Sequence, residues 1–369
     1  MAITDEDSTA VSTTAILAGL NGKFPIDDAV IEALPPGLSF VSVEAYGNSA
    51  WTLTGKITTQ RPDGSEKLFF LKAAFGEHGG VILKGESESA DIIYGLMPDF
   101  IPRPYAYGKY KTTNPITYFF LTDFIDMDVT TAPDPMELAT KLAQLHKKGR
   151  KPGGKYGFHV TTCDGKMPNT IAWQDTWATF YGNLLQGICN VDLETNGSWP
   201  ELERATKQVI TKVIPILLGN LKHEGEPIEP CILHGDLWDS NLGTNMATGE
   251  VVMYDVGSYY GHNEMDLGQW RADFCTHLRS NIYTRHYLKN YPAADPVEQF
   301  DDRNRLYSMK GTMNYSAGHP GSIVRQTVYN NMCYLCEKYA PIDGIDKYDA
   351  QKDPSVTGAQ LTPDFTKRD

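Results

Sequence analysis

The chain is poor in cysteine, short of basic charge and without a long apolar run, and each shortage excludes a class of protein. Its six cysteines, at positions 163, 189, 231, 275, 333 and 336 of 369, are too sparse and irregular for a disulfide framework. Cys333 and Cys336 form the one C-x-x-C. They sit in a helical pattern whose apolar face is Val324, Val328, Met332, Leu335 and Tyr339, so they read as packing thiols. No second C-x-x-C or nearby histidine cluster supports zinc. Lys and Arg number 33 against 46 Asp and Glu, a formal net charge of -13, which leaves no basic face for nucleic acid or anionic membrane. No apolar run approaches the roughly 20 residues of a membrane span. Met1 to Thr14 has no basic segment leading into an apolar one, so no secretory signal is expected. These exclusions, with 41% hydrophobic and 21% charged residues, predict a soluble cytoplasmic protein, monomeric and without nucleic-acid or membrane partners.

The chain falls into segments. Residues 1–14 read as a flexible lead, and 349–369, polar and without apolar period, as an extended or loosely packed tail. From 15 to 125 the pattern is strand-rich. Thr52–Thr59 and Lys67–Phe75 flank the turn Arg61-Pro62-Asp63-Gly64, Tyr118–Leu121 is a further strand, and one helix is expected over about Leu83–Gly95. From 126 to 348 it is mostly helical. Asp134-Pro135-Met136-Glu137 combines an N-cap, a proline at N1 and an acid at N3. Helices are also expected over Trp173–Leu185 and Leu202–Leu221, the latter kinked at Pro215. A small strand pair, 241–244 and 251–254, interrupts them. The layout is α+β: a strand-rich N-terminal lobe, a connector near 122–133 and a helical C-terminal lobe.

The polar residues of the second segment carry the chemistry. Asp236 is followed five residues later by Asn241, and Asp255 ends the second strand of the small pair. A carboxylate that orients a substrate hydroxyl, with an amide oxygen and a second carboxylate holding magnesium, is a phosphoryl-transfer set. Upstream, Lys72 ends the apolar run Leu68–Leu71, where a lysine needs a partner or a ligand. Glu86 is its expected partner and ATP phosphates its expected ligand, with Glu88 the competing partner. Gly47-Asn48-Ser49 between two strands reads as a turn that covers the nucleotide phosphates or as a plain hairpin turn. Thr122 to Ile125, with Asp123 and Ile125, reads as the hinge meeting adenine through backbone groups. Trp238 reads either as a sugar-stacking ring or as a core residue. His262, Glu264 and Asp266 read as acceptor ligands or as braces for the loop.

These residues resemble the aminoglycoside-phosphotransferase and choline-kinase branch of the protein-kinase-like fold, and within it the fructosamine-3-kinase (ketosamine kinase) family. The resemblance rests on Leu233 to Asn241 (LHGDLWDSN) and Tyr259 to Leu267 (YYGHNEMDL). It is supported by Phe70-Leu71-Lys72, Gly85-Glu86, Ile101 to Pro104 and Trp173 to Tyr181. It implies ATP- and Mg2+-dependent phosphorylation of the 3-hydroxyl of a ketosamine, such as a fructosyl- or ribulosyl-lysine. It further implies Asp236 as catalytic carboxylate, Asn241 and Asp255 as magnesium ligands, and Lys72 with Glu86 as the phosphate clamp. The chain departs from the family in Val256-Gly257-Ser258 after Asp255, in lacking a cysteine beside Gly47, and in Asp239, where a small residue is usual. His-Gly-Asp in place of His-Arg-Asp, and the absence of an Ala-Pro-Glu segment after Asp255, argue against a regulated protein kinase. Two alternatives accompany this reading: a kinase of another small cationic alcohol, favoured by Asp239 and by the acidic chain, and a non-catalytic kinase-like binding protein.

Overall fold

The computed structural model describes residues 24–47 and 49–363. The predicted N-terminal lead and Asn48 lie outside them. The chain divides into two compact units, one of residues up to 87 with 102–125, the other of 88–101 with 126 onward.

The first unit begins with a short helix, α1 (Asp28–Glu32), followed by β1 (Ser39–Ala45), β2 (Leu53–Gln60) and β3 (Glu66–Phe75). Helix α2 (Gly76–Leu96) follows, its residues from Glu88 counting with the second unit. β4 (Pro104–Thr113) and β5 (Ile116–Asp123) complete an antiparallel sheet of order β1-β2-β3-β5-β4. Alternation along β3 turns Phe69, Leu71 and Ala73 into one apolar cluster with Leu53, Ile57, Phe119 and Leu121. The same alternation sends Lys72 to the opposite face. Helix α2 starts earlier than its apolar pattern because its first turn is polar and glycine-rich. Gly79 is needed there, since a Cβ would lie 2.8 Å from the Ala74 carbonyl carbon.

Asp27 ties α1 to β4. Its carboxylate caps Ala29 N–H at 2.9 Å and accepts the N–H groups of Lys111 and Thr112 at 2.9 and 3.0 Å. Burial works against its charge, but these donors outweigh it and hold the carboxyl down at about 2. Asp27→Ala is expected to lower the unfolding free energy by about 2 kcal/mol, read as a lower midpoint in urea at unchanged slope.

The second unit opens with β6 (Met127–Asp128) and α3 (Pro135–Lys148), the latter capped by Asp134 onto Met136 and Glu137 N–H with Pro135 at N1. A hairpin of β7 (Cys163–Asp164) and β8 (Met167–Pro168) precedes α4 (Trp177–Asn196). Thr176 caps α4, which sets its start later than the aromatic run at 173 suggests. The predicted kinked helix is α5 (Pro200–Gln208), a π turn (Val209–Val213) and α6 (Ile214–Leu218). The widened turn precedes Pro215, which has no N–H to continue a regular ladder. β9 (Cys231–Ile232), β10 (Leu242–Asn245), β11 (Val251–Met253) and β12 (Tyr260–Gly261) form two small pairs, β10–β11 and β9–β12. Helices α7 (Asn281–Asn290), α8 (Phe300–Gly318) and α9 (Val324–Tyr339) follow, with α3 packed on α7, and α4 and α9 on α8. Cys333 and Cys336 are fully buried on α9.

The tail is more tightly held than its polarity predicts. Asp353 is 1% exposed and binds Arg305 at 2.6 Å, and Leu361 N–H and Thr362 Oγ1 donate to Asp273 at 2.6 and 3.0 Å. Hydrogen bonds and one ion pair anchor it, and these leave no apolar period to read. No helix among the described residues is long and apolar enough to cross a membrane.

Candidate functional site

Within the first unit, Lys72 Nζ lies 2.6 Å from Glu86 Oε1, both side chains being mostly buried. Glu88 faces His159 instead, at 3.1 Å. The turn between β1 and β2 is held by Ser49, whose Oγ accepts the N–H groups of Trp51 and Thr52 at 3.3 and 3.2 Å. Gly47 supplies a positive φ of 74°. At the end of β5, Asp123 donates its N–H to the Arg103 carbonyl at 2.8 Å, so that amide is committed to the sheet. The Asp123 carboxylate binds Lys67 and accepts from Tyr105 OH. Ile125, just beyond, is half-buried.

In the second unit, β9 delivers the chain into His234 to Asn241, and a 3-10 turn at Asp239–Asn241 leads out to β10. Gly235 has φ 86°, and a Cβ there would lie 2.2 Å from the Gly257 carbonyl oxygen, so only glycine fits. One carboxylate holds this bend: Asp266 accepts His234 N–H at 2.8 Å and Gly235 N–H at 3.0 Å. Asp266 also faces His146 Nε2 at 3.1 Å. Burial would raise the Asp266 carboxyl, but His146, His234 and the Gly235 N–H outweigh burial and keep it below the ordinary carboxylate value. His234 is kept neutral by burial. Its Nδ1 accepts Asp236 N–H at 3.2 Å, so its proton is on Nε2, which donates to the Tyr254 carbonyl at 2.9 Å.

Asp236 and Asn241 are brought together. Asn241 Nδ2 donates to the Asp236 carbonyl at 2.7 Å and to its Oδ2 at 3.2 Å, while Gln269 Nε2 donates to Oδ1 at 2.7 Å. Burial, then the charge of Asp164, pushes the Asp236 carboxyl well above the usual range, with Lys310 and Gln269 opposing. Tyr254 N–H donates to the Asn241 carbonyl at 3.0 Å, one residue before Asp255. Asp255 has φ 57°, a left-handed turn at the strand end. Asn241 spends its amide N–H groups on Asp236, and the oxygen atoms of Asn241 and Asp255 are donors of the kind a magnesium ion takes.

The remaining motif residues are built in rather than exposed. Trp238 is half-buried, edge-on to Phe274 with ring centroids 5.4 Å apart. His262 is 1% exposed, its Nδ1 is 2.9 Å from Tyr307 OH, and burial pulls its pKa down to about 4. Glu264 is 1% exposed, with Arg303 Nε at 2.8 Å, Arg303 Nη2 at 3.0 Å and Ala294 N–H at 2.7 Å. Both its oxygens are therefore taken, the geometry of a brace. Asp239 is buried and accepts Thr276 N–H, Thr276 Oγ1, His277 N–H and Leu278 N–H. It caps the 276–278 turn, both its oxygens taken by these donors.

Sequence reasoning missed Gln269, Asp164 and Lys310. Gln269 follows the motif without a spacing that marks it, and Asp164-Gly165 reads as an ordinary turn. Lys310, flanked by Leu306, Met309 and Met313 on a helix, was the available signal: a charge inside an apolar stretch.

A family model described as fructosamine kinase matches residues 48–331. A chloroplastic protein-ribulosamine 3-kinase of Oryza sativa subsp. japonica is 29% identical over 250 residues, covering 67% of this chain. The match spans 66% of the rice protein, just short of two thirds of its length. Among solved structures, one described as a fructosamine-3-kinase from Thermobifida fusca superposes with a TM-score of 0.66 at 18% identity, covering 85% of this chain and 98% of that one. A choline kinase from Streptococcus pneumoniae gives 0.51 at 12% identity, covering 85% and 99%. These structural likenesses establish the α+β, protein-kinase-like fold.

Two outcomes are expected. Gly235→Ala should express folded or misfolded but inactive, because the clash is with backbone; activity near that of the parent would refute the close packing. The neutral His262 resists protonation in the fold, so between about pH 6.5 and 4 the unfolded chain binds more protons and stability falls as pH falls, by about 3 kcal/mol across the window. Between pH 6.5 and 4 the denaturation midpoint of His262→Gln should fall less than that of the parent; His234 acts in the same direction as His262, and Asp236, whose raised carboxyl takes up its proton in the fold first, acts in the opposite one in both chains.

Proposed function

The chain belongs to the fructosamine kinase family, and from that premise we propose that it phosphorylates the 3-hydroxyl of a ketosamine, a ribulosyl- or fructosyl-lysine, with ATP and magnesium. The 3-phosphate decomposes and frees the amine, so the net outcome is deglycation. The observation that carries this reading is Asp236, a buried carboxylate held on one oxygen by Gln269 and on the other by Asn241.

In this reading Asp236 aims its carboxylate at the acceptor hydroxyl and takes its proton as the bond to phosphorus forms. Its raised proton affinity makes it the stronger base. Gln269 and Asn241 fix the direction of attack, which matters because phosphoryl transfer depends on in-line placement more than on covalent catalysis. Asn241, through its amide oxygen, and Asp255 are the proposed magnesium ligands, and the ion supplies charge neutralisation on the transferred phosphoryl group. Lys72, braced by Glu86, is the proposed holder of the nucleotide phosphates. The turn at Gly47, Asn48 and Ser49 is proposed to cover them, and the backbone near Ile125 to meet the adenine. Asp239, one of the two features that favour another cationic alcohol as acceptor, is engaged by the 276–278 turn.

ADP release measured over a panel of fructosyl-lysine, ribulosyl-lysine and unrelated alcohols tests the acceptor. Turnover is expected on the ketosamines, and turnover confined to another alcohol would sink the proposal. Asp236→Asn should lower kcat by about 10³-fold, and Asp255→Ala should abolish turnover at ordinary magnesium concentrations. Near-normal rates in either variant would refute the corresponding role.

A further inference from the structure

The β7–β8 hairpin, Gly257 and Gly235 pack backbone to backbone. A Cβ on Gly257 would lie 2.5 Å from the Cys163 carbonyl oxygen, and one on Gly235 would lie 2.2 Å from the Gly257 oxygen. Thr162 Oγ1 donates to that Gly257 oxygen at 3.1 Å. Against this backbone stands a buried charge pair. Asp164, 6% exposed, accepts Lys310 Nζ at 2.7 Å, and Lys310, 1% exposed, projects from the middle of α8. The same Nζ donates to the Gly235 carbonyl at 3.2 Å. One turn along α8, Asn314 Nδ2 donates to the Asp164 carbonyl at 3.2 Å and fixes the hairpin end. The negative charge of Asp164 is felt at Asp236, where it raises the carboxyl's proton affinity.

Replacing a buried ion pair by apolar side chains is often neutral or stabilising, so its presence is weak evidence for stability. This pair has a more specific geometry. Lys310 grips the peptide that immediately precedes Asp236, and it neutralises a second carboxylate that would otherwise face Asp236 as a like charge. Asp266 holds the N–H of Gly235 and Lys310 holds its C=O, so the peptide planes on both sides of this glycine are pinned by side chains from different elements.

We propose that Lys310, held by Asp164, is a positioning residue for phosphoryl transfer: it sets the direction in which Asp236 leaves the backbone and cancels the neighbouring carboxylate. This rests on the reading of Asp236 as the catalytic carboxylate. Lys310→Met keeps the unbranched side chain to within one atom of its length and removes its charge, and should lower kcat about 10²-fold, the usual consequence of a misplaced reacting group. KM for ATP should stay within about threefold, because Lys310 touches no group assigned to the nucleotide. Asp164→Asn alone should lower kcat less. The double variant Lys310→Met/Asp164→Asn should recover at least tenfold over Lys310→Met, since the unpaired carboxylate is gone.

The full-length chain is used, with ADP release on fructosyl-lysine and thermal unfolding measured for each variant, and crystal structures of the parent and Lys310→Met. Unchanged kcat in Lys310→Met, strictly additive effects in the double variant, or a rise in KM for ATP that accounts for the loss would each overturn the proposal. If Lys310→Met does not fold, Asp164→Asn with parental kcat overturns it. If the parent itself turns over no ketosamine, the acceptor assignment fails, and the crystal structures decide this inference separately: an Asp236 carboxylate and Gly235 peptide unmoved in Lys310→Met overturn it, and a rotated pair supports it.

Discussion

The Asp266 carboxylate is the constraint on which the catalytic loop depends. It accepts two successive backbone N–H groups, His234 and Gly235, and meets the ring of His146 from α3. Those two amides belong to a bend that no ladder can satisfy, because Gly235 sits at a positive φ and its neighbours turn away from β9. Without Asp266, two buried donors and a buried imidazole would lose partners together, each a cost comparable to a lost hydrogen bond. With it, Asp236 emerges from a backbone fixed on both sides, and the tautomer of His234 follows from the Asp236 N–H that it accepts.

The same pattern recurs through the second unit. Glu264 with Arg303, Asp164 with Lys310, Asp353 with Arg305 and Asp192 with Arg325 are ion pairs in which each side chain is largely buried. All four cations would be counted as surface residues on chemistry alone; in the fold Arg303, Arg305 and Lys310 lie on α8, none above 4% exposure, and Arg325 lies on α9. Buried pairs of this kind add little net stability but tolerate only one arrangement, since a shift of register leaves charges unpaired. The three pairs on α8 hold the loop, the hairpin and the tail to that one helix.

That helix also explains what the sequence did not disclose. The N-cap at Asp134, the turn at Arg61 to Gly64, the strand pair after Asn241 and the polar position of Lys72 on β3 each follow a local rule, and each was legible from local residues. Helix α8 was not, because helical periodicity is read from apolar stripes and its inward faces carry Arg303, Asn304, Arg305 and Lys310. The roles of Glu264 and Asp239 were ambiguous for the same reason: a carboxylate near a motif looks alike whether it faces a ligand, an arginine or a row of N–H groups. Only the partners decide, and Arg303, Thr276 and Leu278 lie tens of residues away in the chain.

The anchored tail bears on where this protein can be cut. Residues 332–363 lie beyond the stretch that matches the family model, yet Asp353 neutralises Arg305, and Leu361 and Thr362 satisfy Asp273. Trimming the chain to the shared family boundary would strip the last turns of α9 and leave a guanidinium and a carboxylate buried without their counterparts. The unit of homology is therefore smaller than the unit of folding, and expression boundaries for this protein follow the ion pairs rather than the family limits.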